Sequence, residues 1–322
     1  MSSESAASTK PQVGIGACLV GHAVRYSGDA KKRSHVLEKL AETMDLIPLC
    51  PEVAIGLPVP REPIRIVENN EGIYVKDSET QTIEYAQPLR NFANEMTAKH
   101  REFAGYVFVK GSPSCGYERV KRYNDEGNAL ANTGVGVYAQ QIMDNDPLLP
   151  VEENGRLHDP NLRENFVRRV HAYHEWKQLN KVGDIPTLHQ LSQFYSRYKY
   201  LVMAHSVTHY KKIGRLLSKP DRENPQQQAD HFIELLMTAL KCSATRKGYS
   251  NALSHIKGYL KRDISSTERI SFDQLIDQYR TGEVPLIVPV KLLNHYFNTY
   301  PNDYISQQTF LMDNVIPAKA GI

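Results

Sequence analysis

VGIGACLV (residues 13–20) decides how the front of this chain is read. The stretch is short, apolar and glycine-bearing, and it predicts a buried strand whose apolar run ends at Cys18. Val36, Leu37, Leu40 and Met44 follow at helical spacing and predict a helix over 32–44. A second apolar run, 46–50, ends at Cys50. Leu89, Phe92, Ala93 and Met96 share one stripe within 82–103, the mark of an amphipathic helix. A third apolar run covers 105–109, and 134–139 reads as a fourth strand. Alternation of strand and helix predicts an α/β fold: a Rossmann-like parallel sheet with helices on its faces.

The remainder of the chain predicts an all-α domain. Asp159 followed by Pro160 is a helix start, with a capping side chain and then proline at the first helical position, and that helix should run to about residue 181. Thr187 and Gln190 form a capping-box pattern ahead of a helix over 191–217. Further helices fit 226–242, 251–261, 272–279 and 290–299, with Gly282 as a stop. The resulting division is a disordered tail at 1–12, an α/β domain at 13–146, a linker at 147–155 and a helical domain at 156–322. The 322 residues are 41% apolar and 23% charged, so the chain can build real cores. No apolar run is long enough to cross a bilayer, and no membrane partner is expected. The front half carries a slight acidic excess and the back half a basic one.

Cys18 and Cys50 end two of the strands, and Cys115 lies in the loop leaving the third. Ligands collect outside the carboxyl ends of strands in an open parallel sheet, so this topology gathers three sequence-distant thiols at one edge. Three thiolates fall short of the four ligands of a structural zinc. On a 4Fe–4S cluster, normally held by four cysteines, they would leave one iron open. Three packed apolar thiols are the plainer alternative. Each cysteine nevertheless lies in a loop rich in Gly, Pro, Ser or Arg rather than inside an apolar run. Wide, irregular cysteine spacing suits a reducing, cytoplasmic setting.

The segments CLVGHAVRYSG (18–28), CPEVAIGLPVPREP (50–63) and KGSPSCGYERVKRYNDEGNALANTGVG (110–136) resemble the TudS-type thiouracil desulfidases. Departures are Ser27, where Asp is usual, and an additional Gly111 between Lys110 and Ser112. RLHDPNLRENFVRRV (156–170), KYLVMAHSVTHYKKIG (199–214), GYLKRDIS (258–265) and VPLIVPVKLLNHYF (284–297) resemble the YbgA-like domain. The combination is similar to the RudS-type arrangement. This resemblance implies a 4Fe–4S cluster held by Cys18, Cys50 and Cys115, its fourth iron open to the substrate's sulfur. It implies non-redox conversion of 4-thiouridine in tRNA to uridine, the sulfur leaving as hydrosulfide. Free thiouracil or thiolated nucleotides are the alternative substrates, and a non-enzymatic iron–sulfur RNA-binding sensor is a third possibility.

Glu52, two residues past Cys50, is expected in the same pocket as general base and acid. By family position, Ser112 hydrogen-bonds substrate or relays a proton. Arg25, Tyr26 and Arg61 suit a phosphate or the uracil ring. Ser114 is grouped with them, although it also fits a turn. Arg168, Arg169, Lys199, Lys211, Lys212, Arg215, Lys257, Lys261 and Arg262, interleaved with Tyr and His, are the candidate RNA contacts. His205 and His209 lie four apart but lack the acidic partner of a metal motif. Cys242 reads as a packed thiol. Segment 110–136, long for a connection, reads as a lid or an irregular surface loop.

Overall fold

The computed structural model describes residues 10–32, 34–80, 82–180 and 185–312. Most of the expected tail, and the helix end expected near residue 181, lie outside the described residues. The chain forms two compact units that divide between Lys177 and Gln178.

In the first unit, β1 (Gln12–Gly16) leads to α1 (His35–Thr43), β2 (Asp45–Leu49) and the short α2 (Pro51–Ala54). Next come β3 (Ile64–Asn69), β4 (Gly72–Asp77), α3 (Ala86–Lys99) and β5 (Phe103–Phe108). The hairpin β6 (Val120–Tyr123) and β7 (Ala129–Gly134) precedes α4 (Val137–Asn145), β8 (Val151–Glu153) and α5 (Pro160–Leu179). One sheet has the order β2-β1-β5-β8, and all its pairs are parallel. Val13, Ile15, Tyr106 and Phe108 of this sheet are buried, as are Leu37 and Leu40 of α1 and Leu89 and Ala93 of α3. This is the parallel α/β sheet that the periodicity predicts.

The second sheet was not anticipated. Its order is β4-β3-β6-β7, with antiparallel hairpins β3–β4 and β6–β7 joined by parallel pairing of β3 with β6. Segment 110–136, expected as a lid or loop, thus supplies two paired strands. Residues 134–139, expected as a strand, instead end β7 and begin α4. Val137, Tyr138 and Ala139 are buried in succession, which suits a helix start wedged into a core better than a one-faced strand.

Residues 147–155, expected as a linker, contain β8, which pairs with β5. Helix α5 packs on this sheet. A Cβ added to Gly105 would meet Val170 Cγ2 at 2.7 Å and the carbonyl oxygen of Pro150 at 3.1 Å. Lys177 Nζ donates to the carbonyl oxygen of Phe103 at 2.7 Å, and Tyr173 donates to Asp146 at 2.8 Å. The α/β unit therefore continues well beyond residue 146.

The second unit is helical. It contains α6 (Leu188–His205), α7 (Val207–Leu216), α8 (Pro225–Lys241), α9 (Arg246–Lys257), α10 (Ser266–Thr281), α11 (Ile287–Thr299) and the short α12 (Asp303–Ser306). The capping box of Thr187 and Gln190 is present. The single helix expected over 191–217 is broken at Ser206, which takes an extended backbone and accepts the His209 N–H on its hydroxyl, starting a new helix. Gly282 ends α10 at φ 98°, the left-handed conformation that favours glycine. Leu253, Ile256, Phe272, Leu293 and Ile305 are among the residues of one apolar core here.

The approach of α5 to the sheet gives a direct check. Gly105→Val should lower unfolding free energy by about 1–3 kcal/mol through overpacking, measured as a reduced denaturant midpoint. An unchanged midpoint would show that α5 does not seat on β5.

Candidate active site

Each of the three cysteine loops is fixed by main-chain bonds. After β1 the chain enters a 3-10 turn, Ala17–Val20, closed by Gly21 at φ 101°. The Lys31 N–H returns to the carbonyl oxygen of Cys18 at 3.0 Å, folding residues 21–31 back on themselves. Cys50 is the N-cap of α2, with Pro51 at the first helical position. Beyond β5, the Gly116 N–H bonds the carbonyl oxygen of Ser112 and the Val109 N–H that of Cys115. The start of α4 braces this third loop: N–H groups of Val137 and Ala139 donate to the carbonyl oxygens of Pro113 and Ser114. A Cβ at Gly136 would fall 2.5 Å from the Ser114 carbonyl oxygen, so the close approach requires glycine.

Cys18, Cys50 and Cys115 line one cavity of about 210 Å³, together with Arg25, Tyr26, Lys31, Glu52, Arg61, Ser112 and Ser114. None of the three is in a disulfide. A continuous polar chain runs along the wall. Arg61 Nε and Nη2 donate to Glu52 Oε2 at 3.0 and 2.7 Å. Ser114 Oγ donates to Glu52 Oε1 at 2.6 Å. The hydroxyls of Ser114 and Ser112 lie 3.0 Å apart, and Ser112 Oγ is 3.4 Å from Cys115 Sγ. The chain joins a carboxylate to a thiol 63 positions away in the sequence.

Two expected roles change in this arrangement. Arg61 lines the cavity, but its side chain is only 4% exposed, and its nitrogens also bond the carbonyl oxygens of Val24 and Pro58. Its guanidinium is thus engaged with Glu52 and two main-chain oxygens. Ser114, also suited to a turn, is fully buried and holds the carboxylate. No sequence pattern announces that bond, because its partners are brought together only by the sheet. Arg25 donates to both carboxylate oxygens of Asp29, while Tyr26 remains 45% exposed at the cavity. Ser27, at the position where the family pattern has Asp, donates to Asp29 at 2.5 Å.

Burial pushes all three thiols up, Cys115 to about 12. Cys50 raises Cys18, and Cys18 raises Cys115. A pocket of partly buried, mutually opposed soft donors is suited to a cationic group that takes thiolates. Among the described residues, no group of three or more His, Cys, Asp or Glu converges as for a single ion. Thiols spread around one cavity fit instead a cluster that offers each thiolate its own iron.

The candidate RNA contacts are dispersed. Lys211, Lys212 and Arg215 are exposed on α7, and Lys261 and Arg262 follow the turn after α9. Lys199 lies 6.0 Å from the Tyr210 ring. Lys257 pairs with Asp273, and Arg168 with Glu164. Arg169 is buried on α5 and bonds Asn165 and the carbonyl oxygen of Val151, so it belongs to the packing of the first unit. His205 Nδ1 bonds the carbonyl oxygen of Cys242 and His209 Nδ1 the hydroxyl of Ser206; they do not form a pair. Cys242, expected to be packed, is exposed at the end of α8.

Residues 13–154 match a family described as 2-thiouracil desulfurase, and residues 199–313 one described as a protein of unknown function, DUF1722. The uncharacterized protein YbgA of Escherichia coli strain K12 is 33% identical over 143 residues, 44% of this chain and 83% of its own length. A solved chain described as the 4Fe–4S-dependent thiouracil desulfidase TudS is 27% identical with a TM-score of 0.38, over 47% of this chain and 95% of that one. No helix among the described residues is long and apolar enough to cross a membrane.

The buried thiols predict an order of chemical reactivity in cluster-free protein. At pH 8 a group titrating near 12 is thiolate in roughly one molecule in ten thousand. Iodoacetamide should therefore modify exposed Cys242 first and Cys115 last, with Cys115 labelling rising as pH increases. Peptide mass spectrometry reads the order, and early labelling of Cys115 would contradict it.

Proposed function

Because the chain belongs to the YbgA family and carries a 2-thiouracil desulfurase domain at residues 13–154, we propose that it exchanges the exocyclic sulfur of a thiolated uracil for oxygen, and that its substrate is 4-thiouridine in tRNA. One observation carries this reading: Glu52, Ser114, Ser112 and three cysteine thiols share a single cavity. The net reaction adds water across the C=S bond and releases hydrosulfide, with no electron gained or lost.

Cys18, Cys50 and Cys115 would hold a 4Fe–4S cluster. Such a cluster supplies a soft Lewis acid for the thiocarbonyl sulfur at an iron without a protein thiolate. The chain's own residues do the rest. Glu52 holds water at its carboxylate and takes its proton as oxygen approaches the ring carbon. Arg61 and Ser114 fix the two carboxylate oxygens, so the base is oriented before substrate arrives. Ser112, between Ser114 and Cys115, donates toward the departing sulfur. Leu49, Ile64 and Val109 give the cavity apolar walls that limit access by bulk water.

The cavity is of a size for a base, which also makes free thiouracil a competing substrate. The basic, exposed helix α7 favours the polynucleotide. Lys and Arg on such a face follow phosphates, and a stacked base must be extruded to reach a recessed site.

Protein prepared without oxygen should convert 4-thiouridine to uridine in thiolated tRNA, read by nucleoside analysis before and after incubation. Glu52→Gln should slow this about 10²–10⁴-fold while iron and sulfide content stay unchanged. A normal rate would refute the desulfidase mechanism and favour a sensor. The triple change Lys211→Glu, Lys212→Glu, Arg215→Glu should lower turnover of tRNA at least about tenfold more than turnover of thiouracil. An equal effect on both substrates would remove α7 from RNA recognition.

A further inference from the structure

The second sheet has an outer face that the proposed chemistry does not use. Strand register places Arg65 opposite Lys76, Val67 opposite both Tyr74 and Tyr123, and Lys121 opposite Thr133. With a period of two, Arg65, Val67, Tyr74, Lys76, Lys121 and Tyr123 all occupy one face, with Val67 buried at its centre beneath the longer side chains. The opposite face buries Ile64, Ile66, Val75 and Val120, and toward its far end carries the Glu68–Arg122 ion pair and exposed Ile73. The outer face is organised as cations over rings: the Arg65 guanidinium lies 5.4 Å from the Tyr123 ring centre and the Lys76 ammonium 5.3 Å from that of Tyr74.

Two features, an unanswered buried donor and a cavity with cations at its edge, point to an anionic ligand here. Arg65 Nε is buried and has no hydrogen-bond acceptor among the described residues, an arrangement that native proteins rarely leave unanswered. At the start of β3 and β6 the sheet also borders a cavity of about 380 Å³, lined by Arg65, Arg119, Lys121 and Tyr123 together with Ser78, Ile64 and Val120. Arg119, the residue before β6, brings a second guanidinium to this edge. Some carboxylates are close: Asp125 is 3.9 Å from Lys76, Glu118 is 2.6 Å from Arg119, and Glu62 and Glu79 flank the rim residues Pro63 and Ser78. Neither Arg65 nor Lys121 has an ion-pair partner among the described residues.

This cavity and the cysteine-lined one share Pro63, Ile64, Gly111 and Pro113. Gly111, the residue additional to the family pattern, stands at the junction with φ 70° and nothing within 4 Å of a built Cβ. A molecule whose base enters the first cavity therefore extends naturally into the second. The anion covalently attached to a pyrimidine is phosphate, reached through ribose, and Arg and Lys bind it by charge-assisted hydrogen bonds.

We propose that the outer face of the β4-β3-β6-β7 sheet is a phosphate-binding platform that holds the nucleotide backbone attached to the base in the cysteine-lined cavity. This rests on the reading of that cavity as a uracil site. The phosphate belongs either to a single nucleotide or to a strand.

The test compares binding of uridine, UMP and pentauridylate to the full-length protein by calorimetry, independent of turnover. Phosphate should tighten binding about tenfold over uridine, and the gain should shrink with added salt. A gain with UMP assigns the face to one phosphate, and a gain confined to pentauridylate assigns it to a strand. Lys121→Glu should abolish the gain. If circular dichroism shows that this variant is unfolded, Lys121→Gln makes the same comparison. Equal binding of all three probes, or a gain that survives the variant, overturns the proposal. Turnover of free thiouracil by the unaltered protein is read separately. Absence of turnover with both free thiouracil and thiolated tRNA would undermine the desulfidase assignment without changing the phosphate comparison.

Discussion

Parallel pairing of β1 with β2 on one side and β5 on the other makes all three strands end on the same edge of the sheet. That constraint creates the site. Parallel neighbours need crossover connections, so the segments that leave the edge are free to turn tightly and point side chains inward. Cys18, Cys50 and Cys115 each occupy the first few residues of such a segment. Antiparallel pairing would have sent at least one of these strand ends to the opposite edge.

The polar wall faces a harder energetic problem. Glu52 and Arg61 are largely withdrawn from water, with side-chain exposures of 13% and 4%. Desolvating an ion pair costs several kcal/mol per charge, and Coulomb attraction offsets this only when the remaining hydrogen-bonding positions are filled. Here most are filled: Arg61 reaches two carbonyl oxygens besides the carboxylate, and Glu52 receives a serine hydroxyl on its second oxygen, which keeps one acceptor position for water. The pair is a weak source of net stability but a strong source of orientation. An orienting network of this kind suits a carboxylate that must handle a proton in one fixed direction.

How legible this was varies with the range of the interactions. Three of the four strands of the first sheet, β1, β2 and β5, are largely apolar runs and can be read locally. Strands β3 (IRIVEN) and β4 (GIYVKD) alternate charge with apolar residues and follow a proline-rich stretch. They make sense only once Arg65 and Lys76 are seen sharing a solvated face. Strand β8 has only three residues, and its pairing with β5 is what extends the first unit past residue 146 and buries Arg169. Ser206 lies within an apolar-periodic stretch, so the break it makes depends on a single extended backbone conformation. The contact of Ser114 with Glu52 spans 62 positions and has no local signature. The exposed position of Cys242 likewise depends on where α8 ends.

The hairpin β6–β7 leaves the chain just after the third cysteine and returns just before α4. The N–H of Gly136 meets the carbonyl oxygen of Gly116 at 2.8 Å, so residues 117–135 form a loop tied shut at its base. Changing the length of its turn, residues 124–128 between the two strands, costs little free energy and leaves the anchoring points in place. The hairpin can therefore diverge during evolution while the thiol beside it keeps its position. A lineage could retune which molecules it accepts by rewriting this excursion, with the reacting groups inherited intact.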